Sequence, residues 1–202
     1  MPEAPATGDL VILLLDRLGV TIDPPIARAL WIAIATDTGW FRFTNTTPWA
    51  LLDAARLAAV GVETERLHEE IYESYTPRRA RLLGAVLSGI REDLGGALIW
   101  SALSREALAA EGGGMSDLDG VIDHMKAIRG AGVVALVVEV ERGTHKVSLR
   151  SRGAADVERI ARGFGGGGHV KAAGYRFQGS VNDVIAALRS AMEGASRGGG
   201  SA

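Results

Sequence analysis

The residues with the clearest capacity for chemistry are Gly165-Gly166-Gly167-Gly168-His169, inside the longer segment Phe164 to Gly174. Four consecutive glycines carry no side chain to block a ligand, and their N–H groups can turn toward phosphate oxygens as an anion-binding nest. His169 adds a polarisable donor beside them. A bare glycine run is often a flexible linker. This one lies between a patterned helix and a small-residue segment that runs into a strand, which suits a linker poorly. A second signal is Lys146-Val147-Ser148-Leu149-Arg150-Ser151-Arg152, whose alternation puts Ser148, Arg150 and Arg152 on one face of a strand. Arginine offers a planar fork for phosphate and a flat surface for a base. The same spacing also describes a solvated edge strand whose charges discourage aggregation. A third is Thr36-Asp37-Thr38-Gly39, an acid closing an apolar run. Carboxylates so placed suit oxygen-preferring cations, yet a lone one more often forms a turn or cap. His68, His124 and His145 stand in no metal-ligand spacing.

The elements that must position these residues can be read from periodicity and caps. Helices are predicted over 7–18, from Asp23 and Pro24 through Ala35, from Thr47 and Pro48 through Val60, and over 77–90. Strands are predicted over 97–102, 133–140, 146–151 and 175–178, with a hairpin at Arg142-Gly143-Thr144. Helices are expected between them at 116–129 and 154–162, and a last one over 180–192. Ser116 to Asp119 and Ser180 to Asp183 read as capping boxes with Asp in place of Glu. The fold class is α/β, a helix-rich first part followed by a mixed β-sheet flanked by helices. The division is 1–76 for the first part, 77–92 for a linker helix, 93–195 for the second domain and 196–202 for a disordered tail.

Composition narrows the function classes. The 202 residues are 47% hydrophobic, with a formal net charge of -2. No broad positive field is available for long nucleic acid, so an anionic ligand must be held by a local site. The absence of cysteine excludes disulfides, thiolate metal sites and a cysteine nucleophile. No apolar run is long enough to span a bilayer, and the plain expectation is a cytoplasmic protein with no membrane partner.

Taken in order, these segments resemble the DHH/DHHA1 phosphoesterases, and within them the oligoribonucleases and 3′-phosphoadenosine 5′-phosphate phosphatases often called nano-RNases. Gly166-Gly167-Gly168-His169-Val170-Lys171-Ala172-Ala173-Gly174 fits the family's GGGHxxAAG signature at every fixed position. Ile34 through Thr47 resembles the last motif of the DHH domain. The resemblance implies that residues 1–76 are the C-terminal portion of a DHH catalytic domain and 93–195 a DHHA1 substrate-binding domain. It implies Asp37 as a metal ligand, and Arg150, Ser151, Gly166, Gly167, Gly168 and His169 as substrate-binding residues. The family reaction is hydrolysis of a phosphoester at a di-metal centre, Mn²⁺ or Mg²⁺. Its ligands are short RNA oligonucleotides or nucleotide phosphates, and a homodimer is compatible with the resemblance. The Asp-His-His triplet and the earlier aspartate-rich motifs are absent from this sequence, so it reads as an N-terminally truncated member with little hydrolytic activity by itself. Two alternatives stand beside this reading: a non-catalytic nucleotide-binding module, and the cyclic-dinucleotide phosphodiesterase branch of the family.

Overall fold

The computed structural model describes residues 7–197, which divide into one unit up to Ser74 and a second from Tyr75. The first unit is helical: α1 (Thr7–Arg17), α2 (Pro24–Asp37), α3 (Pro48–Ala59) and α4 (Thr64–Tyr72). The starts follow from capping chemistry. The Asp23 carboxylate accepts from Ile26 N at 3.0 Å and the Thr47 hydroxyl from Ala50 N at 3.2 Å, each just before a proline at the first helical position. Ile12, Leu30, Ile34, Ala54, Leu57 and Leu67 form the core of this unit. On its other side α1 exposes Leu10, Leu13 and Leu14, and Leu18 just beyond its end is exposed as well.

The second unit carries α5 (Pro77–Ser88), β1 (Arg91–Asp93), β2 (Leu98–Leu103), α6 (Arg105–Ala110), α7 (Val121–Lys126), β3 (Val133–Glu141), β4 (Thr144–Ser151), α8 (Val157–Gly163), β5 (Gly167–His169), β6 (Ala172–Gln178) and α9 (Val181–Arg197). The sheet order is β1-β2-β3-β4-β6-β5, with β2 and β3 parallel and every other neighbouring pair antiparallel. Parallel pairing needs a crossover, and α6 and α7 supply it. One sheet face packs Val147, Leu149, Ala173 and Tyr175 against Val157 and Ile160 of α8 and Val184 and Leu188 of α9. The other packs Ile99, Val134, Leu136 and Val138 against Leu82 and Val86 of α5 and Val121, Ile122 and Met125 of α7. No residue of β6 or β5 belongs to that second core, so this half of the sheet is left without an apolar cover.

Several expectations are corrected. The helix predicted over 116–129 is a short 3₁₀ turn, Met115–Leu118, followed by α7, with Gly120 between them at φ +76. The Ser116 box does not form. Asp117 is drawn instead to Arg78 and to the N–H of Gly114, at 3.0 and 2.8 Å. The Ser180 box does form: Ser180 N donates to Asp183 at 2.8 Å and Asp183 N to the Ser180 hydroxyl at 3.2 Å. From there α9 runs past Gly194 to Arg197, since one exposed glycine costs a helix only about 1 kcal/mol. Ser196 and Arg197, read as tail, are thus helical, and 198–202 lie outside the described residues. The segment 77–92 holds α5 and the start of β1, and Leu82 and Val86 place α5 in the core of the second unit.

Candidate nucleotide-binding face

The glycine run is strand, not loop. Gly167, Gly168 and His169 pair antiparallel with Gly174, Ala173 and Ala172, which makes β5 the edge of the sheet. Glycine has poor strand propensity, so its presence here needs a steric reason. A Cβ on Gly166 would lie 2.2 Å from the carbonyl oxygen of Gly174, and one on Gly168 2.5 Å from that of Ala172. Gly168 also sits at φ +146, where side chains are strained. Close approach of β5 to β6 is therefore what these two glycines permit. Phe164 closes the segment from the other side by stacking on Tyr175 at 4.6 Å. Burial raises the Tyr175 hydroxyl above its ordinary pKa, so the ring acts as packing.

Register then assembles the site. Arg150 of β4 stands opposite Ala172 of β6, and Ala172 stands opposite His169 of β5. Directly opposed residues share a face, so Arg150 and His169 flank a methyl group two strand spacings, roughly 9.5 Å, across. Next along the same face come Ser148 and Gly174 with Gly167, and then Lys146 opposite Arg176. The floor between the charged rows is a hydroxyl and backbone. Arg150 is held from the side by Asp123 of α7, Nε to Oδ1 at 3.2 Å, and gives a second hydrogen bond to the Leu149 carbonyl at 3.1 Å. It keeps 27% of its side chain exposed, and His169 is exposed. A planar fork held in place with a free edge is suited to an incoming phosphate.

Ser151 is elsewhere. Alternation turns it to the opposite face, where it is 3% exposed and donates to the Ala155 carbonyl at 2.7 Å. It ties the end of β4 to the turn before α8 and does not share the open face with Arg150. Arg152 lies beyond the end of the strand, with its N–H on the Gly132 carbonyl at 2.9 Å. Sequence reasoning missed Asp123, Ala172 and Arg176. Ala172 lies inside the recognised motif, but its place between two charged side chains is visible only from the pairing.

In the first unit Asp37 ends α2 and is exposed, and its backbone carbonyl accepts from Asn45 Nδ2 at 3.2 Å. Gly39, Trp40 and Phe41 follow at φ +58, +58 and +61, three successive left-handed residues. Two of them carry bulky side chains, and such strain persists only where the surroundings hold it. Thr38 supplies part of that hold, donating to the Ile34 carbonyl at 2.7 Å and accepting from Phe41 N at 3.2 Å. Among the described residues no three His, Cys, Asp or Glu side chains group closely enough to hold a metal ion. The described residues therefore do not by themselves form a di-metal centre.

Comparison with known proteins bears on part of the second unit. Residues 101–194 match the family model for the DHHA1 domain. This stretch is a DHHA1 domain. The open face, β5 and the motif from Gly166 to Gly174 all fall within it. Over 178 residues the chain is 39% identical to the bifunctional oligoribonuclease and PAP phosphatase NrnA of Thermus thermophilus, a match covering 88% of this chain and 53% of that protein. An exopolyphosphatase-related protein from Bacteroides fragilis superposes with a TM-score of 0.87 at 26% identity, covering 96% of this chain and 57% of the other. A pGpG-specific phosphodiesterase from Vibrio shares the fold at a TM-score of 0.53 and 14% identity, over 95% of this chain and 73% of its own. The DHHA1 domain and the helices before it thus span about half the length of the first two relatives. No described helix is long and apolar enough to cross a membrane.

Proposed function

We propose that this chain binds short oligoribonucleotides and 3′-phosphoadenosine 5′-phosphate on the open face of its DHHA1 domain, as the substrate-binding part of a cytoplasmic phosphoesterase. The observation that carries this is the row Arg150, Ala172, His169, which sets a fixed guanidinium and an exposed imidazole on either side of a small residue. Arg150 takes a terminal phosphate through its free edge, His169 donates to a second oxygen, and the glycine floor lets sugar and base lie close to the sheet. The similarity to a protein named for both substrates supports the choice of ligand. Asp37 is the residue that the resemblance to the family offers as a ligand to a Mn²⁺ or Mg²⁺ centre. The exposed leucines of α1 are in keeping with a surface that further polypeptide covers.

A second reading is a module that binds nucleotides and hydrolyses nothing by itself; among the described residues no three His, Cys, Asp or Glu side chains group to hold a metal ion. Calorimetric titration with 3′-phosphoadenosine 5′-phosphate tests the site. Arg150→Ala and His169→Ala should each weaken binding by roughly 1.5–3 kcal/mol, the worth of a charge-assisted hydrogen bond. Unchanged affinity in both places the ligand elsewhere. A Mn²⁺-supplemented assay on the same ligand separates the readings: turnover of about 1 per second or more, abolished in Asp37→Ala, would show that the chain completes a metal site of its own.

A further inference from the structure

Lys146 and Arg176 stand directly opposite each other in the antiparallel pair of β4 and β6, on the same open face as Arg150 and His169. Like charges so placed repel and destabilise a sheet. Both side chains are exposed, and among the described residues neither has an ion-pair or hydrogen-bond partner to relieve that repulsion. The pair lines a cavity of about 510 Å³ with the backbones of Gly166 and Gly174 and the apolar side chains of Met115 and Val140, and no acidic residue lines it. Two unpaired cations, an accessible backbone and an apolar wall are the components of a site for one phosphate and its attached base or sugar.

We infer that Lys146 and Arg176 form a second anion subsite on this face, which holds the far end of a short single-stranded oligonucleotide whose near end lies at Arg150 and His169. The inference rests on the proposed function and adds the length of ligand the face reads. Lys146 lies four residues before Arg150 on β4, a separation of about 13–14 Å at roughly 3.4 Å per residue. A stacked strand rising about 3.4 Å per nucleotide covers that distance in about four nucleotides, and a more extended strand in fewer. A mononucleotide bound at Arg150 does not reach the second row. The glycine and serine row between the two leaves the track free of bulk. Lys146 and Arg176 are therefore specificity-determining residues for oligonucleotides over mononucleotides.

The test is calorimetric titration of the full chain with an RNA tetranucleotide and, separately, with 3′-phosphoadenosine 5′-phosphate. The double variant Lys146→Ala, Arg176→Ala should bind the tetranucleotide roughly tenfold or more weakly and the mononucleotide with unchanged affinity. Its salt dependence should also change: the slope of log affinity against log salt for the tetranucleotide should fall by about 0.7, the value for one phosphate contact on a single strand. Thermal melting should be unchanged or raised, because a repulsion has been removed. Unaltered tetranucleotide affinity, or equal loss for both ligands, overturns the inference. Arg150→Ala in the same titrations tells which reading has failed. If it weakens both ligands while the double variant weakens neither, the second subsite alone falls. If it too has no effect on either ligand, the proposed function falls and the inference with it.

Discussion

Arg150 and His169 are opposed across a single alanine: both are register partners of Ala172, one on each side of β6. The gap between them is set by strand spacing and its floor by a methyl group. Filling that gap should block the ligand without disturbing the sheet, since Ala172 lies on the face that carries no apolar cover. Ala172→Leu is expected to lower affinity for 3′-phosphoadenosine 5′-phosphate by tenfold or more, about 1.4 kcal/mol, with an unchanged melting temperature. Titration calorimetry and a thermal melt of the same sample check both halves.

Asp123 competes with any anion for Arg150. Its pair with the guanidinium is half in solvent, and such pairs stabilise a fold by only about 0–1 kcal/mol. Asp123→Asn should therefore cost little stability while freeing a cation and removing a nearby negative charge. Tighter binding of 3′-phosphoadenosine 5′-phosphate is the expected result, with a steeper salt dependence than in the parent. Weaker binding would mean that Asp123 is needed to hold the arginine in place.

The glycines of the motif divide by what surrounds them. Gly166→Ala and Gly168→Ala drive a methyl group into the backbone of β6, whereas Gly167 has nothing within 4 Å of the added atom. The first two should lose the β5 pairing and destabilise the domain by about 1–3 kcal/mol or more. Gly167→Ala should melt within about 0.5 kcal/mol of the parent, as a surface change does. Chemical denaturation of the three variants reads the contrast. Equal tolerance at all three positions would show that the run serves flexibility.

Asp53 in the first unit titrates above its ordinary value, because burial and the neighbouring Asp9 carboxyl both disfavour its charge. The unfolded group ionises near pH 3.9, while the folded one holds its proton to higher pH. Stability from this group is thus fully present below the unfolded value and is lost as pH rises through the folded one. Asp53→Asn should stabilise the first unit at pH 7, and the difference from the parent should shrink as the pH is lowered toward 4. Thermal melts at both pH values test the direction.

Much of this molecule was legible in the residues themselves. Asp23, Thr47 and Ser180 mark helix starts because their side chains satisfy backbone N–H groups within three residues, a local interaction that composition and spacing reveal. The alternation of Lys146 to Ser151 places Arg150 on one face and Leu149 on the other for the same reason. The DHHA1 signature was legible as well, as residue types in a fixed order. Other features depended on partners distant in sequence. The extended conformation of Gly167 to His169 could not be read locally, since glycine favours no single backbone shape, and pairing with β6 decided it. Ser116 does not cap, because the turn starts two residues earlier at Gly114, whose N–H donates to Asp117, a carboxylate also held by Arg78, 39 residues before it. The alternation alone could not show that Ser151 would be spent on the Ala155 carbonyl. Nor could it show that Lys146 would meet Arg176. The opposition of Arg150 and His169 across Ala172 is set by two registers, β4 with β6 and β6 with β5, and a slip of one residue in either would turn the two side chains to opposite faces. Sequence thus determined which residues carry the chemistry, and pairing between distant strands decided which of them share a surface.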